Sequence, residues 1–561
     1  MQPSRLTCLV LATALCCAGV ASAQHQECLR VADMGALLPG ATEVVSWDGG
    51  FPPAPPLGRE LAQMPGFPKT VPISSYFAPN RGLLFADLDA DGDQEIICGS
   101  TDKQLHAWDY EGNYMPGFPV TLNNMCQFAA AIGDLDGNGY PEIVQFTRGP
   151  TSGGRIYILD HLGQTLPGFP LNVNNKNIEM SPVLYDLDQD GMLEIIACER
   201  AYPLGNVHIF EMDGTEWGGN WPFAMQHVPA ATPAVGDLDG DGDVEIVCIA
   251  YNAMYVLNVD GTVMPGWPRL TVDQNFSYQS PALADIDGDG DLEIVIGAHG
   301  NLPQTHVWHH DGTDATGWPI NMEYWTYCPP TVTDLEGDGQ LDIINGQAGD
   351  NYLPSNCFFA WTATGELKPN FPYMMPLGGS EGAIVTADIN GDGQMEIFTD
   401  YRAAVDNYGY VFGTDALGND LPGFPLRPLG LTYMNGPTIG DIDNDGHYEL
   451  AVTSRHETFI DINLYKLPDT YKLTNRDWLT YHGNNARTGL YPVVRLRPGD
   501  LNCDGRVNFR DINGFVLALT DPPAYEAMYA NCDMYVTGDL NGDGAVNGPD
   551  VNRFVSLLTG R

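Results

Sequence analysis

One acidic motif constrains the fold of this chain more than any other feature of its 561 residues. Its clearest copy occupies residues 285–296 and has the sequence Asp-Ile-Asp-Gly-Asp-Gly-Asp-Leu-Glu-Ile-Val-Ile. Variants of this motif occur eight times, beginning at Asp87, Asp134, Asp186, Asp237, Asp285, Asp334, Asp388 and Asp441. Successive copies lie 47 to 54 residues apart. Self-similarity at a period of this size predicts a repeat architecture.

The motif has the chemistry of a calcium loop that runs into a buried strand. Side-chain oxygens at positions 1, 3, 5 and 9 can converge on one cation, the carbonyl of position 7 adds another oxygen, and glycine at position 6 permits the tight turn. Calcium accepts six to eight such hard ligands, whereas an all-oxygen set does not favour zinc. A solvated Asp-Gly turn would explain one isolated copy. Eight copies at one period favour the metal interpretation.

The eight copies differ in their ligands, and the differences rank the predicted sites. Five copies carry an acid at all four positions: Asp87, Asp89, Asp91, Glu95; Asp186, Asp188, Asp190, Glu194; Asp237, Asp239, Asp241, Glu245; Asp285, Asp287, Asp289, Glu293; and Asp441, Asp443, Asp445, Glu449. Two copies replace one acid by asparagine: Asp134, Asp136, Asn138, Glu142, and Asp388, Asn390, Asp392, Glu396. These two should bind calcium more weakly. The sixth copy, whose geometry is the least regular, has Asp334, Glu336, Asp338 and Asp342.

The first 23 residues have the pattern of a secretory signal. Arg5 is followed by an apolar run over residues 6–20 and then by Ala21-Ser22-Ala23, which is the order of charged, apolar and small-residue regions in such signals. We therefore expect an exported chain that begins at Gln24, and no later segment is apolar and long enough to span a bilayer.

The charge of the chain limits its partners. It has 25 Lys and Arg against 72 Asp and Glu, for a net charge of −47. Such a surface repels nucleic acid and anionic membranes. The 43% of hydrophobic residues is nevertheless enough for a folded core, and many of the acids belong to the predicted loops.

The cysteines do not specify a large disulfide framework. Cys98, Cys198 and Cys248 lie in the strand that follows a calcium loop, so we expect them to be small buried apolar residues. The pairing of four further cysteines stays open: Cys28, Cys126, Cys328 and Cys357.

A second repeated element completes each unit. Residues 24–80 form a Pro-rich lead-in that ends in Met-Pro-Gly-Phe-Pro at 64–68. This pentad returns at 115–119, 166–170, 264–268 and 421–425, with shorter forms at Trp221-Pro222, Trp318-Pro319 and Phe371-Pro372. One unit thus reads as strand, calcium loop, two more strands joined by turns, and the pentad. Short strands at even spacing without helical periodicity predict an all-β array.

Radial closure of these units into a β-propeller would bury both faces of every sheet and protect the edges. Residues 81–460 resemble the FG-GAP family, also called VCBS, of integrin α-type repeats. The resemblance implies a calcium-binding β-propeller with the loops at the blade edges. Family propellers most often have seven blades, whereas eight loops favour eight here. The pentad before the first loop predicts that the N-terminal segment completes the last blade.

Residues 461–498 leave the repeat pattern but are assigned to the propeller domain, 81–498. Residues 478–489 place a tryptophan where the last pentad would lie, and similar tails close related propellers. His482 is interpreted as a hydrogen-bonded structural residue. Pro492 and Pro498 mark a linker.

Residues 499–561 carry a different, duplicated acidic loop. Its ligands fall at positions 1, 3, 5, 9 and 12, as in an EF-hand with a final Asp: Asp500, Asn502, Asp504, Asn508 and Asp511, and then Asp539, Asn541, Asp543, Asn547 and Asp550. Each loop should enter a helix, over 512–519 and 551–558. The pair resembles a type I dockerin, which implies two more calcium ions.

The resemblance to dockerins implies a cohesin-like or other surface partner, but the recognition positions depart from the family pattern. Residues 10 and 11 of the loops are Phe509-Arg510 and Gly548-Pro549, where dockerins commonly carry Ser and Thr. A standard cohesin partner is therefore not expected. Cys503 and Cys532 lie in this small module, where a disulfide would support a thin core.

Three functions remain open at this stage. The leading interpretation is a secreted, non-catalytic module that binds protein or carbohydrate and is attached to a larger assembly through its tail. The alternative is a polysaccharide-active enzyme resembling rhamnogalacturonan lyases, for which His306, His309 and His310 form the one cluster worth testing; no catalytic residue is assigned. The third, an adhesion scaffold similar to the integrin α head, differs from the first only in its partner.

Overall fold

The structure is a computed structural model that describes residues 61–73, most of 82–491, and in the C-terminal part mainly 511–520 and 545–559. The predicted signal, Cys28, and the proposed Cys503–Cys532 pair lie outside the described residues. So do seven of the predicted tail ligands: Asp500, Asn502, Asp504, Asn508, Asp539, Asn541 and Asp543.

Eight antiparallel sheets of three to five strands form the propeller. Blade one comprises β2 (Leu84–Ala86), β3 (Glu95–Gly99), β4 (Gln104–Trp108) and β5 (Val120–Thr121), and blade two comprises β6 (Ala131–Gly133), β7 (Glu142–Phe146) and β8 (Ile156–Leu159). Blade three comprises β9 (Asn177–Ile178), β10 (Val183–Tyr185), β11 (Glu194–Ala201), β12 (Leu204–Phe210) and β13 (Phe223–Met225). Blade four comprises β14 (Ala234–Gly236), β15 (Glu245–Ala250), β16 (Ala253–Asn258) and β17 (Arg269–Leu270).

Blades five to eight repeat the same order. Blade five comprises β18 (Gln274–Asn275), β19 (Ala282–Ala284), β20 (Glu293–Gly300), β21 (Gln304–Trp308) and β22 (Ile320–Asn321). Blade six comprises β23 (Thr331–Thr333), β24 (Asp342–Gly346), β25 (Ser355–Thr362) and β26 (Tyr373–Met375), and blade seven comprises β27 (Val385–Ala387), β28 (Glu396–Asp400) and β29 (Val411–Thr414). Blade eight comprises β30 (Thr438–Gly440), β31 (His447–His456), β32 (Phe459–Thr470) and the N-terminal strand β1 (Lys69–Pro72). The predicted eight-bladed all-β propeller is thus confirmed.

The blades pack face to face through their second and third strands. In blade four the second strand Glu245–Ala250 is buried along its whole length, because a strand covered on both faces needs apolar residues at every position. Cys198 of blade three and Cys248 of blade four lie in one core cluster, so the core is continuous from one blade to the next.

The N-terminal strand closes the ring, as the repeat offset predicts. β1 pairs antiparallel with β32, with Lys69 opposite Ile462, and Gln63 bridges to Tyr465. The predicted end of the repeat pattern at residue 461 is wrong. Residues 459–470 do not leave the repeat pattern at 461 but form the twelve-residue strand β32, which carries both β31 and β1 as neighbours.

The pentads join neighbouring blades. The aromatic–proline peptide is cis in all eight copies, from Phe67-Pro68 to Phe424-Pro425. In blade four Trp267 Nε1 donates to the carbonyl of His310 in the next blade at 2.8 Å. A Cβ added to Gly266, whose φ is +92°, would lie 2.0 Å from the carbonyl oxygen of Asp311. Only glycine permits this close approach.

Residues 477–491, here called the channel segment, run through the centre of the ring. The segment bonds to the middle residue of the innermost strand in seven blades. Its backbone carbonyls accept the N–H groups of Ile132, Leu184, Val235, Leu283, Thr386 and Ile439 at 2.8–3.0 Å. Asn485 Nδ2 donates to the carbonyl of Phe85 at 2.7 Å. One stretch of chain therefore links almost the entire ring.

Polar side chains of the channel segment bond within the ring, although Arg487 Nη2 is buried without a hydrogen-bond partner. Arg487 is buried and donates to the carbonyl of Ala130 at 3.2 Å and to Thr480 Oγ1 at 3.1 Å. His482 Nδ1 and Nε2 lie 2.6 Å and 2.9 Å from the carbonyls of Arg487 and Pro281. The interpretation of His482 as a hydrogen-bonded structural residue is confirmed.

Six cysteines of the described propeller are buried and form no disulfide. Cys98, Cys198 and Cys248 occupy second strands of their blades, as predicted. Cys126, Cys328 and Cys357, whose state the sequence left open, are buried in the same way. All six act as small apolar residues of the core.

Two helices define the described part of the tail. α1 (Asp511–Thr520) and α2 (Asp550–Thr559) lie where the two predicted helices were placed. Phe515 and Phe554 stack with ring centroids 4.1 Å apart, within a small cluster that includes Leu501 and Tyr525. Across the described residues, no helix has the length and apolar character needed to cross a bilayer.

Candidate metal centres

The eight acidic loops join the first and second strands of the blades, so all eight lie on one face of the ring. In each loop the carboxylate at position 9 lies at the start of the second strand, or two residues inside it in blade eight, and accepts the backbone N–H of position 2. The distance is 2.7 Å from Leu88 to Glu95 Oε2 and 2.8 Å from Leu238 to Glu245 Oε2. One oxygen thus fixes the loop, while in loops one to four Oε1 is left for a ligand.

The carboxylate at position 1 also has a fixed orientation. Asp87 Oδ2 accepts the N–H of Gly92 at 3.1 Å, and Asp237 Oδ2 accepts that of Gly242 at 3.2 Å. Position 5 lies at the exposed rim, where Asp241 Oδ1 accepts the N–H of Asp243 at 2.9 Å. The loop backbone therefore orients the acids before any ion binds, which favours affinity.

Positions 1, 3 and 9 converge in the first four loops. Their ligand atoms lie within 4.8 Å of one another in the groups Asp87, Asp89, Glu95; Asp134, Asp136, Glu142; Asp186, Asp188, Glu194; and Asp237, Asp239, Glu245. The Oδ1 atoms of Asp87 and Asp239 are buried without a hydrogen-bond partner. A buried unpaired carboxylate oxygen is costly, and a hard cation would satisfy it. These residues fit calcium, which would bridge their oxygens when bound.

Loops five to eight each place a side-chain donor beside the position-9 carboxylate. His309 Nδ1 lies 3.0 Å from Glu293 Oε1, and Asn390 Nδ2 lies 2.9 Å from Glu396 Oε1. The donors in loops six and eight are Lys368 and Lys466. Sequence reasoning missed the two lysines, whereas Asn390 was predicted as a metal ligand and His309 was considered only for catalysis. Aligning the third strands of the repeats would have revealed two of the four donors, because His309 and Lys466 stand where Asp109 stands in blade one.

The position-9 carboxyls are unusually weak acids in the folded chain. Burial raises their pKa, the N–H of position 2 opposes the shift, and neighbouring loop carboxylates add to it. The pKa rises to about 8 for Glu95, Glu245, Glu396 and Glu449, and to about 7 for Glu142 and Glu194. Without a cation, these groups therefore hold protons near neutral pH.

The raised pKa values predict opposite pH responses with and without calcium. A carboxyl whose pKa is raised by folding stabilises the fold fully below its unfolded pKa, near 4.5, and this stabilisation is lost as pH rises through about 7 to 8. Chelated protein should therefore gain stability from pH 8.5 to 5. Calcium must displace those protons, so its stabilising effect should shrink over the same range. Thermal unfolding in chelator and in calcium at both pH values tests this, and an equal calcium effect at both would contradict it.

Only three of the ten predicted tail ligands lie in the described part of the chain. Asp511 Oδ1 accepts the N–H of Leu501 at 2.9 Å, and Asp550 Oδ2 accepts that of Asn547 at 2.9 Å. Both carboxylates are buried at the start of their helices. The two-helix arrangement agrees with the dockerin-like interpretation, which stays a proposal.

The three histidines considered for catalysis do not share one site. His306 is buried, its ring stacks on Trp308 at 4.6 Å, and burial lowers its pKa to about 4. His309 reaches Glu293 in loop five, and His310 Nδ1 lies 3.1 Å from Asp291 Oδ2. The histidines are thus divided between the blade core and the rim of acidic loop five.

A group of aromatic rings lies on the opposite face of the ring. This aromatic patch comprises Tyr251, from a hairpin of blade four, His299, from the end of β20, and His227, Trp325 and Tyr327, from connections between blades. His227 stacks on Tyr251 at 5.2 Å, and His299 lies 5.0 Å from Tyr327 and 5.7 Å from Trp325. His227, Tyr251 and Trp325 are partly exposed. No sequence motif identified this patch, because its members come from separate parts of the chain.

Comparison with known proteins agrees with the repeats seen in the fold. The profile of the FG-GAP-like repeat family matches residues 87–145, 186–248, 237–296 and 334–399. Each matched region begins at the first acid of one of the eight loops. No curated protein sequence matches the chain.

Several solved structures match the chain at low sequence identity. The Vibrio cholerae biofilm matrix protein Bap1 is 15% identical with a TM-score of 0.39, over 78% of this chain and 94% of its own. BBS1N in complex with ARL6DN is 10% identical with a TM-score of 0.39, over 74% and 100%. The C-terminal domain of Pseudomonas aeruginosa PilY1 is 12% identical with a TM-score of 0.36, over 67% and 93%. The eight sheets make the described part of this chain a β-propeller, and four stretches of it match FG-GAP-like repeats.

Proposed function

We propose that this protein is an exported, calcium-stabilised and non-catalytic propeller that binds a carbohydrate or protein through its aromatic patch. Its tail, similar to a dockerin, would attach it to a larger surface assembly. The proposal separates the two faces of the ring. One face holds the metal loops and serves stability, whereas the other carries the exposed rings and serves binding.

The aromatic patch is the observation that carries this proposal. Large partly exposed rings supply contact area at a low entropy cost and dominate many binding surfaces. The centre of the ring is already filled by the channel segment, so a partner would bind on a face and not inside the channel. The net charge of −47 favours a neutral or basic partner. A neutral glycan stacking on Trp325 and Tyr251 fits these properties.

Export would bring the acidic loops into a medium that contains enough calcium to fill them. Residues 1–23 have the order of a secretory signal, and the medium outside a cell supplies calcium at concentrations that weak oxygen sites can use. Disulfide formation is also possible in such a compartment. The proposed Cys503–Cys532 pair would then support the small core of the tail.

Binding to neutral glycans should depend on the aromatic patch. We expect Trp325→Ala and Tyr251→Ala to weaken binding at least about tenfold, because truncating a central ring commonly costs more than about 1.4 kcal/mol. The measurement is a glycan array in calcium with the chain that begins at Gln24, followed by titration of the glycans that bind.

Met374→Ala is the matched control, since Met374 is 62% exposed but lies on the outer strand of blade six. It should leave binding unchanged. Glycan binding that survives both ring substitutions would place the site elsewhere. A second outcome is that the protein binds no glycan but binds another protein, and loses that binding in the same two variants. The aromatic patch would then still be the binding site, but its partner would be a protein.

A further inference from the structure

Two of the eight acidic loops contain a lysine side chain among their carboxylates. In loop six, Lys368 Nζ lies 2.6 Å from Asp342 Oδ2 and also contacts the carboxylate of Glu336. These are the acids at positions 9 and 3 of that loop.

In loop eight, the lysine comes from the long strand β32. Lys466 Nζ lies 3.1 Å from Asp443 Oδ2 and 3.6 Å from Glu449 Oε1, and it also contacts the carboxylate of Asp445. These acids stand at positions 3, 9 and 5. In both loops the ammonium group therefore lies between the oxygens that would otherwise hold a metal ion.

We propose that Lys368 and Lys466 replace the cation in loops six and eight, so that the propeller binds calcium at no more than six of its eight loops. The inference rests on the proposed calcium binding of the other loops. It lowers the number of propeller sites from the eight, of unequal strength, that the motif alone predicts to six at most.

Charge and geometry both oppose calcium binding beside the lysine ammonium group. Calcium must approach its ligand oxygens to 2.3–2.6 Å, and the ammonium already contacts carboxylates that would supply them, although Asp443 Oδ1 and Glu449 Oε1 of loop eight make no hydrogen bond. A divalent ion beside an ammonium group would also be repelled. The side chain of Lys368 is only 10% exposed, so swinging it into solvent would open the packing beneath it.

The position-1 carboxylate of loop six is held by the loop backbone, as Asp388 is in loop seven. Asp334 Oδ1 accepts the N–H groups of Gly337 at 2.7 Å and Asp338 at 3.0 Å, while Oδ2 accepts that of Gly339 at 3.0 Å. Both oxygens of the position-1 carboxylate are therefore used by the loop backbone. Lys368 offsets one of the four carboxylate charges of loop six without any ion.

The lysine in loop eight has a structural consequence, because blade eight closes the ring. β32 carries Lys466 and also pairs with the N-terminal strand β1. The cation of this loop is covalently attached and cannot be removed by a chelator. Loop eight should therefore keep its conformation when a chelator removes calcium from the other loops.

The repeat itself supplies neutral replacements for the two lysines. Lys368 stands at the first position of the pentad, where blades one and four have Met115 and Met264. Lys466 lies opposite Glu449 in the register of β31 and β32, as Asn258 lies opposite Glu245 in blade four. Lys368→Met and Lys466→Asn thus recreate local arrangements that already exist in blades with convergent acids.

Counting bound calcium tests the inference. The chain that begins at Gln24 is dialysed against saturating calcium, and the metal per chain is measured by mass spectrometry. With two ions in the tail, the wild type should hold no more than eight. Each lysine substitution should add one ion, and the double variant should add two. Lys176→Asn, which removes an exposed lysine far from any loop, should add none.

The outcomes separate this inference from the proposed calcium function. A wild type that holds ten ions overturns the inference and leaves the calcium function intact, and this count needs no variant to fold. Variants that fold, by circular dichroism, yet bind no additional ion also overturn it. If the wild type and both variants bind no calcium, the calcium function fails and the inference fails with it. After chelation, Lys466→Asn should unfold at a lower temperature than Lys176→Asn, and equal midpoints would contradict the role in closing the ring.

Discussion

Removing calcium from the chain that begins at Gln24 should lower its free energy of unfolding by about 6 kcal/mol. Extracellular-type oxygen sites have dissociation constants of roughly 0.1 to 1 mM, so each loop contributes about 1 kcal/mol at millimolar calcium by mass action. Six loops without a lysine can contribute in this way. The sum is comparable with the entire stability of many domains.

Charge repulsion in the empty loops adds to this loss. In loop four, Asp237, Asp239 and Glu245 present oxygens within 4.8 Å of one another, and salt would screen such short-range repulsion only in part. The measurement is thermal unfolding against free calcium from chelator to several millimolar. A midpoint that does not move would show that the loops are ordinary turns.

A pair of variants in loop four separates ligand loss from charge loss. Asp239→Ala removes the position-3 ligand, whose buried Oδ1 has no protein partner, and should abolish about 1 kcal/mol of calcium-dependent stability. Asp243→Ala removes the same charge from the same loop, but position 7 contributes only its backbone carbonyl. It should keep the calcium response. Equal responses of the two variants would mean that net charge, and not coordination, sets the calcium effect.

Local features of this chain could be predicted because each blade repeats them. The loop at 285–296 specifies a tight turn and then a buried strand, and β20 begins at Glu293 as expected. The pentad at 64–68 predicts the offset that pairs β1 with β32. In both cases neighbouring residues in sequence carry the information, and eight copies reinforce it.

Features that depend on distant contacts could not be predicted. The channel segment has no periodicity, and its hydrogen bonds reach Ile132, Val235 and Thr386 in three separate blades. Lys466 reaches loop eight only through the register of β31 and β32. A lysine in an acidic chain is visible in the sequence, but the oxygens that it contacts are not.

Replacing Trp478 by alanine should destabilise the propeller by about 4 kcal/mol. Trp478 is 2% exposed and packs in one cluster with Ala282 and Val332, from blades five and six, while its backbone bonds to Thr386 in blade seven at 2.9 Å and 3.0 Å. Truncating a buried tryptophan costs roughly 3–5 kcal/mol through lost burial and the cavity left behind. Here the cavity lies where the channel segment enters the ring, so blades five to seven lose a shared contact.

The change in unfolding free energy can be measured by urea denaturation in saturating calcium, so that metal binding does not contribute. Trp478→Phe should cost less than Trp478→Ala, because it keeps an aromatic ring in the same cluster. Leu270→Ala is the control, since Leu270 is 62% exposed on the outer strand of blade four and should change stability by less than about 0.5 kcal/mol. A loss below about 1 kcal/mol for Trp478→Ala would mean that the blades hold the ring closed without the channel segment.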